Sequence, residues 1–222
     1  MSDPILNHTP PRHLFILRHG ETQWNVQQRM QGLMDSPLTE QGQQQAIDNG
    51  RLLYSLVDID VLWVSPLGRT AETANLVNST VQAPIEYVDA LMERDCGHWG
   101  GLTLSEIQRD FSESWQARMQ DSYNHRPPNG ENLPDLVKRV APFVDQLYER
   151  SWLNAAIITH GVMSRALLQS LLGLSDRACM DVRHPNDLVY SLDFYADRIE
   201  PAFYRHGGER QPGLFYTDDE RE

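Results

Sequence analysis

The sequence predicts an α/β fold, a three-layer α/β/α sandwich built on a mainly parallel sheet. Three observations carry that expectation. Short apolar runs at 14–17, 61–64 and 155–158 are each closed by polar or turn residues, the pattern of strands buried on both faces. Segments with helical spacing of apolar residues alternate with these runs, as βα units require. Two of the runs also end alike, in Arg18-His19-Gly20 and Thr159-His160-Gly161, so similar polar groups arrive where open α/β sheets bind ligands.

In chain order, residues 1–12 carry Pro4, Pro10 and Pro11 and are expected to lie as an irregular arm. The first strand is 13–17. Beyond Asn25 a glutamine-rich loop passes Gln31 and Gly32 and reaches Asp35-Ser36-Pro37-Leu38. Thr39 is placed to cap the next helix, its hydroxyl taking an orphan N–H of the first turn. Ala46, Gly50, Leu53 and Val57 mark that helix's buried face. A second strand, 61–64, stops at Ser65-Pro66. The helix at 67–79 turns Thr70, Ala74 and Val77 to one side and carries Arg69 in its first turn. Residues 84–88 make a short third strand.

From 89 to 131 the periodicity weakens. Gly97, Gly100 and Gly101 interrupt it, short helices are expected at 104–111 and 112–120, and Arg126-Pro127-Pro128-Asn129-Gly130 punctuates the end. This stretch reads as a cap-like insertion over the sheet, with no core of its own. The helix at 132–150 is the clearest in the chain, striped by Leu133, Leu136, Val137, Val140, Val144 and Leu147, and Pro142 is expected to kink it. A strand at 155–159 leads to an apolar helix, 162–172, closed by Gly173. Residues 188–195 alternate as a strand does, 202–204 offer another edge, and 207–222 read as a loose polar tail. The whole is one domain with its core at about 13–206.

Composition narrows the functional classes. The 222 residues carry a net charge of −12, a surface that repels polyphosphate backbones and argues against nucleic acid as a partner. Positive charge for an anionic substrate must then be local, in a few inward-pointing arginines. Two cysteines, Cys96 and Cys179, make no disulfide framework and are too few for a cysteine-based zinc site. The first 12 residues lack a secretory pattern, and no run approaches the roughly 18 apolar residues of a membrane span. The expected location is the cytoplasm.

Five residues carry the chemistry: Arg18, His19, Arg69, Glu93 and His160. Their mixture suits phosphoryl transfer. A neutral imidazole serves as nucleophile, guanidinium forks match phosphate oxygens, and a carboxylic acid protonates a departing alkoxide and later activates water. On this reading His19 and His160 end neighbouring strands and face one another across a phosphate. Each residue has a plainer reading. A lone histidine after a strand is ordinarily structural, until Arg18 and the second His-Gly junction are counted. Arg69 has a salt bridge to Glu72 as its rival role, and Asn25 a turn. Cys96 is expected to be buried. His98, His125, His184 and His206 are expected at the surface, and Trp24, Trp63, Trp99 and Trp115 in the core or a groove wall.

The chain resembles the phosphoglycerate-mutase-like branch of the histidine phosphatase superfamily. Arg18-His19-Gly20-Glu21-Thr22-Gln23-Trp24-Asn25 is that branch's signature nearly letter for letter. Gly32, 35–39 and Gly42 follow it, then Ser65 to Ala74. Leu91-Met92-Glu93 with Gly97 and Trp99, Gly130-Glu131-Asn132, and His160-Gly161 with Arg165 complete the series. The resemblance implies that His19 becomes phosphohistidine, that Arg18, Arg69 and His160 hold the phosphate oxygens, and that Glu93 is general acid and then base. It also implies that Asn25, Gln31, Gly32 and Gly161 contact phosphate or substrate, while Arg94 holds a further anionic group. No metal and no cofactor are expected.

Family members divide between phosphatases and cofactor-dependent mutases, which carry a longer insertion, a tyrosine where Cys96 stands, and a tandem arginine pair. Here Arg118 has no arginine neighbour and only 94–129 separate the motifs. The expectation is a phosphomonoester hydrolase of the histidine acid phosphatase type, acting on a small phosphorylated metabolite, with a homodimer left open. A phosphoglycerate mutase is the alternative. A silent phospho-ligand-binding module would need one of His19, Glu93 or His160 missing, and a nucleotide-binding Rossmann fold would need a Gly-x-Gly-x-x-Gly that is absent.

Overall fold

The computed structural model describes residues 11–216. Its sheet contains β1 (Arg12–Arg18), β2 (Val61–Val64), β3 (Ile85–Tyr87), β4 (Asn154–Thr159), β5 (Leu188–Phe194), β6 (Ile199–Arg205) and β7 (Gln211–Pro212). Their order is β3-β2-β4-β1-β5-β6-β7. The first four strands pair in parallel, and β5, β6 and β7 add an antiparallel half. The fold class is the expected one; the sheet is mixed. β1 and β4 lie side by side in register, Arg18 opposite Thr159, so both strand–His–Gly junctions open at one edge.

Period-two alternation divides the strands' side chains between two apolar layers. Leu14, Ile16, Trp63 and Ile157 pack under α6 (Leu133–Glu149) and α7 (Gly161–Leu172). Phe15, Leu17, Leu62 and Ile158 pack on the other face under α2 (Glu40–Leu56) and α3 (Gly68–Val81). Every strand residue named here is essentially sealed from water, each worth about 1.5–3 kcal/mol of transfer free energy. Helix α2 starts where expected, with Thr39 Oγ1 accepting from the Gly42 N–H at 3.0 Å. Ala46, Gly50 and Leu53 are buried on it, while Val57 ends it half-buried.

Several expectations are corrected. Helix α6 runs 17 residues through Pro142, which lies on its exposed face. Phe143 joins the buried stripe beside Val144. The stretch 89–131 does hold a small core: Cys96, Trp99 and Ile107 of α4 (Leu104–Asp110), joined by Phe111 and by Trp115 of α5 (Ser112–Gln120). Trp99 is fully buried, with the His125 ring stacked on it at 5.1 Å. Two short helices, α1 (Gln23–Val26) and α8 (Asp176–Asp181), were not expected.

The tail is not loose as far as Tyr216. Its β7 pairs with β6, the Arg183 N–H donates to Phe215 O at 3.0 Å, and Tyr216 bridges Val182. Leu214 and Phe215 supply the apolar contacts that a polar composition hides. The arm expected at 1–12 lies outside the described residues except for Pro11 and Arg12, and Arg12 opens β1.

Candidate active site

A cavity of about 600 Å³ opens at the carboxyl ends of β1 and β4. Arg18, His19, Asn25, Gln31, Gly32, Arg69, Glu93, Arg94 and Gly161 all line it. These are nine of the ten residues singled out in the sequence. The tenth, His160, is fully buried behind them, its ring centroid 5.3 Å from that of His19.

The local fold fixes the tautomer of His19. Its Nδ1 lies 2.8 Å from the Gly20 carbonyl oxygen, which only accepts, so Nδ1 carries the proton and Nε2 keeps its lone pair. Burial first, and then the Arg18 and Arg69 charges, push the imidazole well below its ordinary value. The ring is therefore neutral. Gly20 allows this turn to sit tightly on α2: a Cβ there would collide with the Gly42 carbonyl oxygen. Asn186 Nδ2 ties down the His19 carbonyl at 2.6 Å.

Arg69 stands on the first turn of α3, where its charge opposes the helix dipole. Asp35 resolves this from a distant loop. Its carboxylate accepts from the Gly68 N–H at 2.7 Å, the Arg69 N–H at 3.2 Å and Arg69 Nη1 at 2.9 Å. Nη1 and Nη2 also reach the Met34 and Gly32 carbonyls. The rival salt bridge to Glu72 is not formed; Glu72 faces Gln43 instead. Arg18 is held by one bond, Nη1 to His184 O at 3.0 Å. Burial lowers both guanidiniums from their ordinary values, opposed mainly by Glu93, and for Arg69 also by Asp35.

Glu93 caps α7 from outside. Its oxygens accept from the N–H groups of Arg94 at 2.8 Å, Val162 at 3.1 Å and Met163 at 3.1 Å. Of about four lone-pair positions on a carboxylate, one stays free. Gly161 sits where a Cβ would rest 3.4 Å from the Arg18 guanidinium carbon. Asn25 has the turn role: Oδ1 accepts from the Thr22 N–H at 3.0 Å in a capping box. The residue also lines the cavity, where Nδ2 has no partner among the described residues.

The buried polar atoms without a partner among the described residues include, at this cavity or just behind it, Nε of Arg18, Arg69 and Arg94, Nδ1 of His160 and His184, and the acceptor Oε1 of Gln31. His160 Nε2 lies 2.8 Å from Ser65 Oγ. With the serine hydroxyl donating, Nδ1 carries the proton and is one more unused donor. Burial holds His160 well below the ordinary imidazole value, which makes it a neutral donor rather than a cation. Orphaned buried donors call for an acceptor. Nε of Arg18 and Arg69 and Nδ1 of His160, set around the neutral His19 ring, fit a tetrahedral oxyanion.

Eleven lining residues were not singled out as part of the site, among them His184, Arg183, Arg205, Phe215 and Tyr216. His184 was expected at the surface and is buried, held near pH 3 by burial and Arg18. His125 is half-buried on Trp99, whereas His98 and His206 are exposed as expected. Cys96 is buried, its thiol raised by burial. No group of three or more His, Cys, Asp or Glu placed to hold a metal occurs among the described residues.

Comparison with known proteins gives a consistent picture. The family model for the histidine phosphatase superfamily (branch 1) matches residues 14–206. A chicken 6-phosphofructo-2-kinase/fructose-2,6-bisphosphatase is 34% identical over 200 residues, 88% of this chain and 41% of that protein. The chain thus spans well under half the length of such bifunctional relatives. Phosphoserine phosphatase 1 of Hydrogenobacter thermophilus is 31% identical over 165 residues, covering 72% of this chain and 76% of its own. Among solved structures, the α-ribazole phosphatase of Shigella flexneri superposes with a TM-score of 0.77 at 26% identity, over 92% of this chain and 96% of its own.

Proposed function

The chain belongs to the histidine phosphatase superfamily, and from that premise we propose that it is a metal-independent phosphatase acting on a small phosphomonoester through a phosphohistidine. The observation that carries the reading is the neutral His19 imidazole, its Nε2 free, among unused arginine donors. Nε2 attacks phosphorus and the bond to the ester oxygen breaks. That oxygen takes a proton from Glu93, which lines the same cavity. Glu93, now a carboxylate, accepts a proton from water as the oxygen attacks the phosphohistidine, releasing phosphate and the free imidazole. Arg18 and Arg69, with His160 Nδ1, hold the equatorial oxygens as charge builds on them. Asn25, Gln31, Gly32 and Gly161 shape the phosphate seat, and Arg94 reaches the rest of the substrate.

A phosphatase is favoured over a mutase by the short cap. Residues 89–131 have only a small core over the site, and Cys96 lines the cavity where mutases carry a tyrosine. Water then reaches the phosphohistidine readily. Phosphatases acting on α-ribazole phosphate and phosphoserine are similar to this chain, which supports a small phosphorylated metabolite as substrate. Two free, buried cysteines suit the cytoplasm, and no helix among the described residues is long and apolar enough to cross a membrane. A panel of phosphomonoesters, including 3-phosphoglycerate with and without 2,3-bisphosphoglycerate, tests the reading. Release of phosphate is expected; transfer between positions of the sugar acid without release would make the chain a mutase.

A further inference from the structure

The cavity holds more positive charge than one phosphate needs. Arg18 and Arg69 stand beside His19. On the far side of β1, a second group comes from different segments: Arg183 from the loop after α8, Arg205 from the end of β6, and the tail residues Phe215 and Tyr216. Arg183 Nη1 donates to Met180 O at 2.7 Å and has no carboxylate partner among the described residues. Its neighbour Arg165 donates from Nε to Val182 O at 2.9 Å, has no carboxylate partner among the described residues, and is lowered to about 10 by burial and then by the charge of Arg183. Arg205 is paired with Asp187 at 3.1 Å and lies 5.1 Å over the Phe215 ring. Glu93, the acidic residue that lines the cavity among the described residues, is committed to α7.

Arg183 and Arg165, neither with a carboxylate partner among the described residues, repel one another beside a low-dielectric wall. An arriving anion relieves that repulsion, with Arg205 close by although paired to Asp187. In a chain of net charge −12 the clustering is against the overall composition. We propose that Arg183 and Arg205, walled by Phe215 and Tyr216, form a second anion subsite that selects phosphomonoesters bearing another anionic group, a phosphate or a carboxylate, at the far end of a short carbon skeleton. This rests on the phosphatase reading of the same cavity. The tail is part of the subsite, because Phe215 O receives the Arg183 N–H and Tyr216 bridges Val182.

The test uses two substrate pairs that differ at the distal group: fructose 1,6-bisphosphate against fructose 1-phosphate, and 3-phosphoglycerate against glycerol 3-phosphate. The native chain is expected to favour the anionic member of at least one pair by about tenfold or more in kcat/KM. Which pair responds tells phosphate from carboxylate. Arg183→Gln and Arg205→Gln should each reduce that preference severalfold, and Arg183→Lys should restore part of it. A preference below about threefold in both pairs, or one that neither glutamine variant alters, overturns the subsite. If none of the four is hydrolysed, the phosphatase reading is in question and the subsite is read without turnover. Calorimetric titration of His19→Ala with 2,3-bisphosphoglycerate and with inorganic phosphate then decides. The bisphosphate should bind about tenfold tighter, and His19→Ala/Arg183→Gln should lose the difference; equal binding in His19→Ala overturns the subsite.

Discussion

Asp35 holds Arg69 at 2.9 Å while also capping, through the Gly68 and Arg69 N–H groups, the helix on which that arginine stands. One carboxylate thus both anchors the helix and aims the guanidinium, leaving Arg69 Nε free and buried. Asp35→Asn keeps the size and removes the charge. It should cost about 1 kcal/mol of stability, as a lost cap does, and lower kcat/KM by about tenfold or more through misplacement of Arg69. Urea unfolding and steady-state kinetics check both. Unchanged kinetics would mean that Arg69 does not meet the phosphate.

The buried histidines set a pH dependence of stability. His19 and His160 are pushed well below the ordinary imidazole value and His184 to about 3, in each case by burial first. In the unfolded chain they titrate near about 6.5. Below that pH the unfolded chain takes up protons that the folded chain refuses, so stability falls as pH falls. Above it their contribution is complete. Each adds a slope of up to about 1.4 kcal/mol per pH unit. Urea midpoints between pH 7.5 and 5 should drop, and His184→Asn should flatten the decline. Constant stability would show these rings taking up protons in the fold as readily as in the unfolded chain.

The role of Glu93 is separable from its capping of α7. Glu93→Gln keeps a carbonyl oxygen for the helix but has no proton to give an alkoxide. Turnover should fall by about 10²–10⁴ for alkyl phosphates and much less for p-nitrophenyl phosphate, whose leaving group needs no proton. Equal slowing of both would leave Glu93 with only a positioning role.

Gly20 and Gly42 pack the His19–Gly20 turn onto the first turn of α2 with no room for a side chain. Gly20→Ala should destabilise the chain by about 1–3 kcal/mol, the usual penalty of overpacking. Activity should fall with it, because the carbonyl that orients His19 is that of Gly20. Thermal unfolding measures the first effect, and a variant as stable as the parent would refute the close packing.

The residues legible in the sequence were those whose meaning is local. Leu14 to Leu17 read as a buried strand because four apolar side chains in a row have few other uses, and Arg18 and His19 follow directly. Thr39 and Gly173 announce helix ends by their own chemistry. What stayed hidden acts across the chain. Asp35 looks like a loop residue until α3, 33 residues on, brings it Gly68. His184 sits among Asp181, Arg183, Pro185 and Asn186, a surface-like string, yet is buried against Tyr190 at 4.9 Å. The segment at 213–216 reads as tail because its order depends on Leu214 and Phe215 finding the core. Helix α8 has six residues, too few for a period to appear.

The central claim is that His19 Nε2 carries the phosphoryl group. Brief incubation with a ³²P-labelled phosphomonoester in the presence of EDTA, followed by denaturation, tests it most directly. A label is expected on the protein that survives base and is lost in acid, as a phosphohistidine is, and that is absent from His19→Ala. A label that persists in His19→Ala, or that forms only with added metal, would contradict it.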